Sequence, residues 1–174
     1  PIEIPDRAAL GMPSHFEAAR GAYVMRAYNE GQPKMGVVLV QGTSSTNNLV
    51  KILPQLVGEG LNVKVIAAVS PQLFALQDEA YRERTYAAHE RLDAMVVTNR
   101  ARRLMMDWAD FGVTGEFWLG SDFDDRWRTG GSVDEVLEEA HLSPQWILDG
   151  IRRFAKAREK RLKRIRERMG RLEG

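Results

Sequence analysis

Val37-Val38-Leu39-Val40-Gln41-Gly42-Thr43-Ser44-Ser45-Thr46 is the stretch on which the fold of this chain turns. Its first four residues are β-branched or aliphatic with no polar interruption, the pattern of a strand covered on both faces in a parallel sheet. Gly42 closes the run. Thr43 to Thr46 then offer hydroxyls that can cap a helix, and Leu49, Ile52, Leu53, Leu56 and Val57 recur at helical spacing until Gly58 and Gly60. Strand, loop and helix in that order make the first part of a parallel crossover.

The same grammar extends in both directions. Val63 to Val69 and Leu92 to Thr98 read as further covered strands, Ala22 to Tyr28 as a short first strand closed by Asn29-Glu30-Gly31-Gln32-Pro33, and Glu116 to Leu119 as a short last one. Helices are expected from Ser70-Pro71 through Tyr81, from Ala101 to Trp108, from the Ser132 cap through Ala140, and from Ser143-Pro144 toward the C-terminus. Strands alternating with helices predict an α/β domain: a mainly parallel sheet, helices on both faces and right-handed crossovers. The organisation expected is an extended arm over 1–20 carrying Pro1, Pro5 and Pro13, an α/β domain over 21–154, and a basic helical tail over 155–174.

A chain of 174 residues suits one such domain. It has no cysteine, which excludes thiolate metal sites, iron–sulfur clusters, disulfides and cysteine nucleophiles. No apolar run approaches the roughly 18 residues of a membrane span, and no basic leader precedes an apolar stretch. A soluble, cytoplasmic protein is the expectation. The first residue is Pro1 rather than Met, which reads as a piece of a longer protein.

The net charge of +1 conceals a segregation. From Ile151 to Gly174 there are 11 Lys or Arg and 3 Asp or Glu, so this tail is +8 and the remainder −7. Within it Ile151, Ala155, Leu162, Ile165, Met169 and Leu172 form a narrow apolar stripe at helical spacing. Packing on the acidic body, pairing with another chain, or contact with RNA or an anionic surface would all use such a helix. Lying on protein through Leu162, Ile165 and Met169 is the expected use, because no aromatic is interleaved for base stacking.

Candidate chemistry is sparse. Gly42, Thr43, Ser44, Ser45 and Thr46 sit where open α/β sheets bind anions, since unpaired amides and the helix dipole point there. The loop has neither the lysine of a P-loop nor three spaced glycines, and a plain helix cap explains it equally. His15, His89 and His141 fall in separate segments without metal-ligand spacing, and Asp122, Asp124 and Asp125 lack the spacing of a calcium loop. No Ser, His and Asp set can be assembled from the sequence.

Leu73-Phe74-Ala75-Leu76-Gln77-Asp78-Glu79-Ala80-Tyr81-Arg82-Glu83 resembles a segment of the C-terminal domain of transketolases, where it follows a strand. The strand at Gly21-Ala22-Tyr23-Val24, the small-residue turn Gly42-Thr43-Ser44 and the strand rising to Ser70-Pro71 stand in the matching order, so the likeness covers roughly Gly21 to Phe154. After the last strand the chain keeps Asp122 and Phe123 and then departs from the family pattern. That departure leaves the C-terminal domain of a homodimeric pyruvate dehydrogenase first component as an alternative relative.

The resemblance implies a three-layer α/β/α domain with a five-stranded, mostly parallel sheet whose first strand is antiparallel. It implies a parent enzyme that uses thiamine diphosphate and Mg2+ to move two-carbon ketol units between sugar phosphates, as a homodimer. In that family a Gly-Asp-Gly motif with a downstream Asn-Asn holds the cofactor. No Gly-Asp-Gly occurs here, so Asn47-Asn48 has no partner motif and no catalytic, cofactor-binding or metal-binding residue carries over. Two roles follow for this chain: an assembly domain in which Gln77, Asp78 and Tyr81 help dock the upstream thiamine-binding domains or a second subunit, or a phosphate-ligand module using the Gly42 to Thr46 loop.

Overall fold

The computed structural model describes residues 4–110, 112 and 115–170. Its sheet contains β1 (Ala22–Arg26), β2 (Val37–Gln41), β3 (Lys64–Ala68), β4 (Ala94–Thr98) and β5 (Leu119–Gly120), in the order β1-β3-β2-β4-β5. β2 lies parallel to β3 on one side and β4 on the other, β5 continues parallel to β4, and β1 runs antiparallel to β3. This is the expected α/β sheet with its first strand reversed. The helices are α1 (Thr43–Gly58), α2 (Pro71–Ala75), α3 (Glu79–Tyr86), α4 (Val133–Glu139), α5 (Pro144–Lys156) and α6 (Arg158–Gly170).

Every residue of β2, β3 and β4 is buried, which explains why these strands read as unbroken runs rather than alternations. Successive side chains nevertheless go to opposite faces. Val38, Val40, Val65 and Val97 meet Leu49 and Leu53 of α1 and Ile147 and Ile151 of α5. Val37, Leu39, Ile66 and Val96 meet Phe74 of α2, Tyr81 and Tyr86 of α3, and Trp108. The charged exception to the apolar pattern is Lys64 at the start of β3, whose Nζ lies 2.9 Å from Glu90 Oε2 and 3.4 Å from the Arg84 carbonyl oxygen. An ammonium this deep is tolerable only with such partners.

Local elements differ from the sequence expectation where side chains override periodicity. The segment from Ser70 to Tyr86 is two helices rather than one, because Asp78 accepts the Tyr81 amide at 2.7 Å and restarts the chain as α3. Ala101 to Trp108 contains only the 3-10 turn Arg102–Met105, and the expected strand at Glu116 is a 3-10 turn over Gly115–Phe117 that precedes β5. β1 stops at Arg26, whose guanidinium reaches across to the carbonyls of Leu61 and Val63. The α1 cap is Gly42 itself, so the expected hydroxyl cap at Thr43 to Thr46 is not made.

The tail is helical but not continuous with α5. Ala157 interrupts it, and the chain returns so that Arg161 is completely buried. Arg161 donates through Nε to Asp93 Oδ1 at 2.7 Å, through Nη1 to the Phe154 carbonyl and through Nη2 to the Met35 carbonyl at 2.9 Å. Arg158 pairs with Asp93, Arg164 with Glu116 and Arg168 with Asp110. Leu162 and Ile165 are half-buried and Met169 is exposed, so the tail rests on protein as expected but is anchored by arginine rather than by its apolar stripe. Leu172 lies outside the described residues.

Candidate functional site

The chain leaving β2 turns into α1 on one face of the sheet, while the chain leaving β4 turns to the Met105 and Trp108 face. Where the two part, open α/β sheets leave a crevice at their carboxyl edge. Gly42 sits there with φ 91°, a conformation side chains rarely adopt, and an added Cβ would overlap Asn99 Oδ1. Asn99 Nδ2 donates to Ser44 Oγ at 3.1 Å, tying the two loops together. Because glycine has no side chain to accept, the first amides of α1 have no capping oxygen from the N-cap residue.

A cavity of about 380 Å³ opens at this point, bounded by the ends of β2 and β3, the start of α1, Arg100 after β4, and the arm carrying Ile4, Arg7 and Met12. Among the described residues no carboxylate lines it. Arg7 is held in place by the Pro13 carbonyl and the Tyr23 hydroxyl. Gln41 is 9% exposed with an Oε1 that meets no donor, and Ser45 Oγ is buried without a partner. Of the candidate anion loop, Gly42, Thr43 and Thr46 border the cavity, while Ser44 is engaged by Asn99 and Ser45 is buried in the helix.

The second candidate group is spent largely within the domain. Gln77 donates to the Leu73 carbonyl, Asp78 caps α3, and the Tyr81 hydroxyl donates to the Ala22 carbonyl at 2.8 Å from a ring that is 4% exposed. Burial raises the Tyr81 hydroxyl above its ordinary value. Tyr81 therefore positions this face rather than forming it. The segment presents the exposed Leu73 and Leu76 among the exposed Gln72, Asp78 and Glu79.

The remaining candidates are not brought together. His141 is stacked between Phe123 and Trp146, with ring centroids 4.4 Å and 3.9 Å away, His15 lies tilted against Phe16, and His89 is exposed. Asp124 is taken up by Arg128 and Arg126, which together hold its carboxyl well below the usual range. Asp122 Oδ2 accepts the Arg102 amide. Asn48 is buried and ties α1 to the Leu142 carbonyl at 2.9 Å. Among the described residues no three His, Asp or Glu side chains converge as metal ligands. Arg7 and Arg100 escaped the sequence reading because nothing in their local spacing shows that the arm and the β4 exit share a cavity.

No family model matches the chain. It is 30% identical over 103 residues to Transketolase 2 of Escherichia coli (strain K12), a match covering 57% of this chain and 15% of that protein. It is 36% identical over 70 residues to Transketolase 1 of Aliivibrio fischeri, covering 40% and 10%. Among solved structures, transketolase from Leishmania mexicana superposes with a TM-score of 0.61 at 17% identity, over 84% of this chain and 19% of that one. Transketolase from Campylobacter jejuni superposes with a TM-score of 0.58 at 16% identity, over 86% and 20%. The chain thus spans at most a fifth of the length of these relatives. With its reversed first strand and its strand order, it has the fold of a transketolase C-terminal domain, and over part of its length it resembles transketolases in sequence.

Proposed function

We propose that this chain serves a transketolase-type enzyme as an assembly domain, and that the ketol transfer, the thiamine diphosphate and the Mg2+ belong to other domains of that protein. The match to transketolase sequences over a small share of their length carries the reading. The donor set here does not fit the cofactor: the chain has no Gly-Asp-Gly segment, and among the described residues no acidic or histidine cluster could hold the metal. The exposed Leu73 and Leu76 belong to the face offered to the upstream domains or a second subunit, with Gln77 and the exposed Asp78 on the same segment and Tyr81 buried beneath it.

Calorimetry with thiamine diphosphate and Mg2+ tests the division of labour. No heat of binding and no ketol transfer are expected from this chain, and stoichiometric micromolar binding overturns the reading.

A further inference from the structure

We propose that two copies of this chain pair through the cavity beside β5, the indole of Trp127 in each entering the cavity of the other, a contact independent of the assembly face at Leu73 and Leu76. Trp127 is 97% exposed. The loop that carries it is nonetheless braced on both sides. Arg126 Nε donates to Asp124 Oδ2 at 2.8 Å, and Arg128 donates to the Ser121 carbonyl at 2.7 Å and to the Glu139 carbonyl at 3.2 Å. Thr129 donates through its amide and its hydroxyl to Glu139 Oε2, at 3.1 Å and 2.6 Å. A large ring held in water by an ordered backbone leaves little to immobilise when it docks.

The receiving half lies next to it. A cavity of about 810 Å³ opens beside β5, walled by Met106, Trp118, Phe123, His141 and Trp146. Phe123 and Asp125 line it and Trp127 does not, so the indole stands close to the rim without filling the cavity of its own chain. Arg103 and Arg153 line it as well, exposed and, among the described residues, without an ion-pair partner. The Glu116 and Asp122 carboxylates beside them are taken up by Arg164 and by the Arg102 amide. Rings and guanidinium groups are the lining that suits an indole, whose face attracts cations and whose edge packs on other rings. Arg126 and Arg128, which flank Trp127, bring little repulsion because Asp124 pairs with both.

A knob and a hole side by side on one chain are satisfied together by a two-fold axis between copies, which makes the contact reciprocal and closes it at two. Trp127 lies beyond Phe123, where the chain departs from the transketolase pattern, so the resemblance does not predict this contact. Two indoles bring roughly 300 to 500 Å² of their own surface, against roughly 1,200 to 2,000 Å² in a stable interface. The pairing is therefore weak, with a dissociation constant between about 10 μM and about 1 mM.

The test is sedimentation velocity on the whole chain from about 10 μM to about 1 mM, with amide NMR shifts on dilution to read the location. The sedimentation coefficient is expected to rise from monomer toward dimer and no further, with shifts at Arg102 to Met106 and at Phe123 to Trp127. Trp127→Ala, at an exposed site, should keep the parent's melting temperature and stay monomeric throughout. Trp127→Phe should recover part of the association, and Arg103→Ala should weaken it about threefold. Leu76→Ser, on the assembly face, should change nothing.

A chain that stays monomeric at about 1 mM overturns the proposal. So does association that Trp127→Ala leaves intact, that grows past the dimer, or that Leu76→Ser abolishes. None of these outcomes touches the assembly reading, which is judged by cofactor binding rather than by Trp127.

Discussion

Arg161 Nε lies 2.7 Å from Asp93 Oδ1 across 68 residues of sequence, with the arginine wholly out of contact with solvent. Burial pulls the Arg161 pKa below its ordinary value, against the opposing effect of Asp93. A pair held this way is costly to break, because Asp93 would keep only the partly exposed Arg158 and the Phe154 and Met35 carbonyls would lose this donor.

Arg161→Ala should therefore destabilise the domain by roughly 3 to 5 kcal/mol in urea unfolding. Leu162→Ala with Ile165→Ala should cost on the order of 1 to 2 kcal/mol, since both side chains are only half-buried. Salt at 0.5 M should weaken the exposed pairs of Arg164 and Arg168 but leave the Arg161 pair nearly intact. A larger loss from the apolar double variant would show that the stripe, not Arg161, secures α6.

Val65 and Val96 lie at the centre of the sheet with 0% and 1% exposure. Val65→Asp or Val96→Asp puts a carboxylate where no cation can reach, at a cost of several kcal/mol against a total of roughly 5 to 15. Neither variant should show a cooperative thermal transition by circular dichroism.

Gly21 has φ 85°, and an added Cβ would overlap the backbone of Ser70 and Phe74, whose positions are tied to it by the Ser70 amide bond to the Gly21 carbonyl. Gly21→Ala should lower stability by more than 1 kcal/mol, roughly the upper end of an ordinary glycine replacement. An unchanged melting temperature would mean that the α2 start can retreat from β1.

Arg128 first, then Arg126, hold the Asp124 carboxyl down to about 2, outweighing the opposing desolvation. A depressed folded value means that the contribution is complete above the unfolded value of roughly 3.9 and is lost as pH falls through about 2. Carboxyl carbon NMR should give Asp124 a midpoint near that lower value, and Arg128→Ala should move it up toward the free one. A midpoint near 4 in the parent would show that the loop pair does not persist in solution.

The covered strands were legible because burial on both faces leaves a composition mark: Val37 to Val40 and Ala94 to Val97 cannot be mistaken for half-exposed alternation. The split at Asp78 was harder, since Leu73, Phe74 and Tyr81 keep helical spacing across a break that one carboxylate creates. Arg161 was the least legible residue of all. In sequence it is one arginine among 11 basic residues of the tail, and only the carbonyls of Met35 and Phe154, brought close by the fold, distinguish it from its neighbours. The same holds for Arg7 and Arg100, which meet at one cavity from opposite ends of the first hundred residues.

The clasp between α6 and the sheet has a consequence for the order of events during synthesis. All five strands are complete by Gly120, yet Asp93 has no cation, and the Met35 carbonyl no arginine donor, until residues 158 to 161 have left the ribosome. The Met35 contact spans 126 residues, so its closure is late and entropically slow. A nascent chain holding the finished sheet would still lack the arginines that neutralise Asp93, and its last helix would act as the latch that commits the domain to its native state.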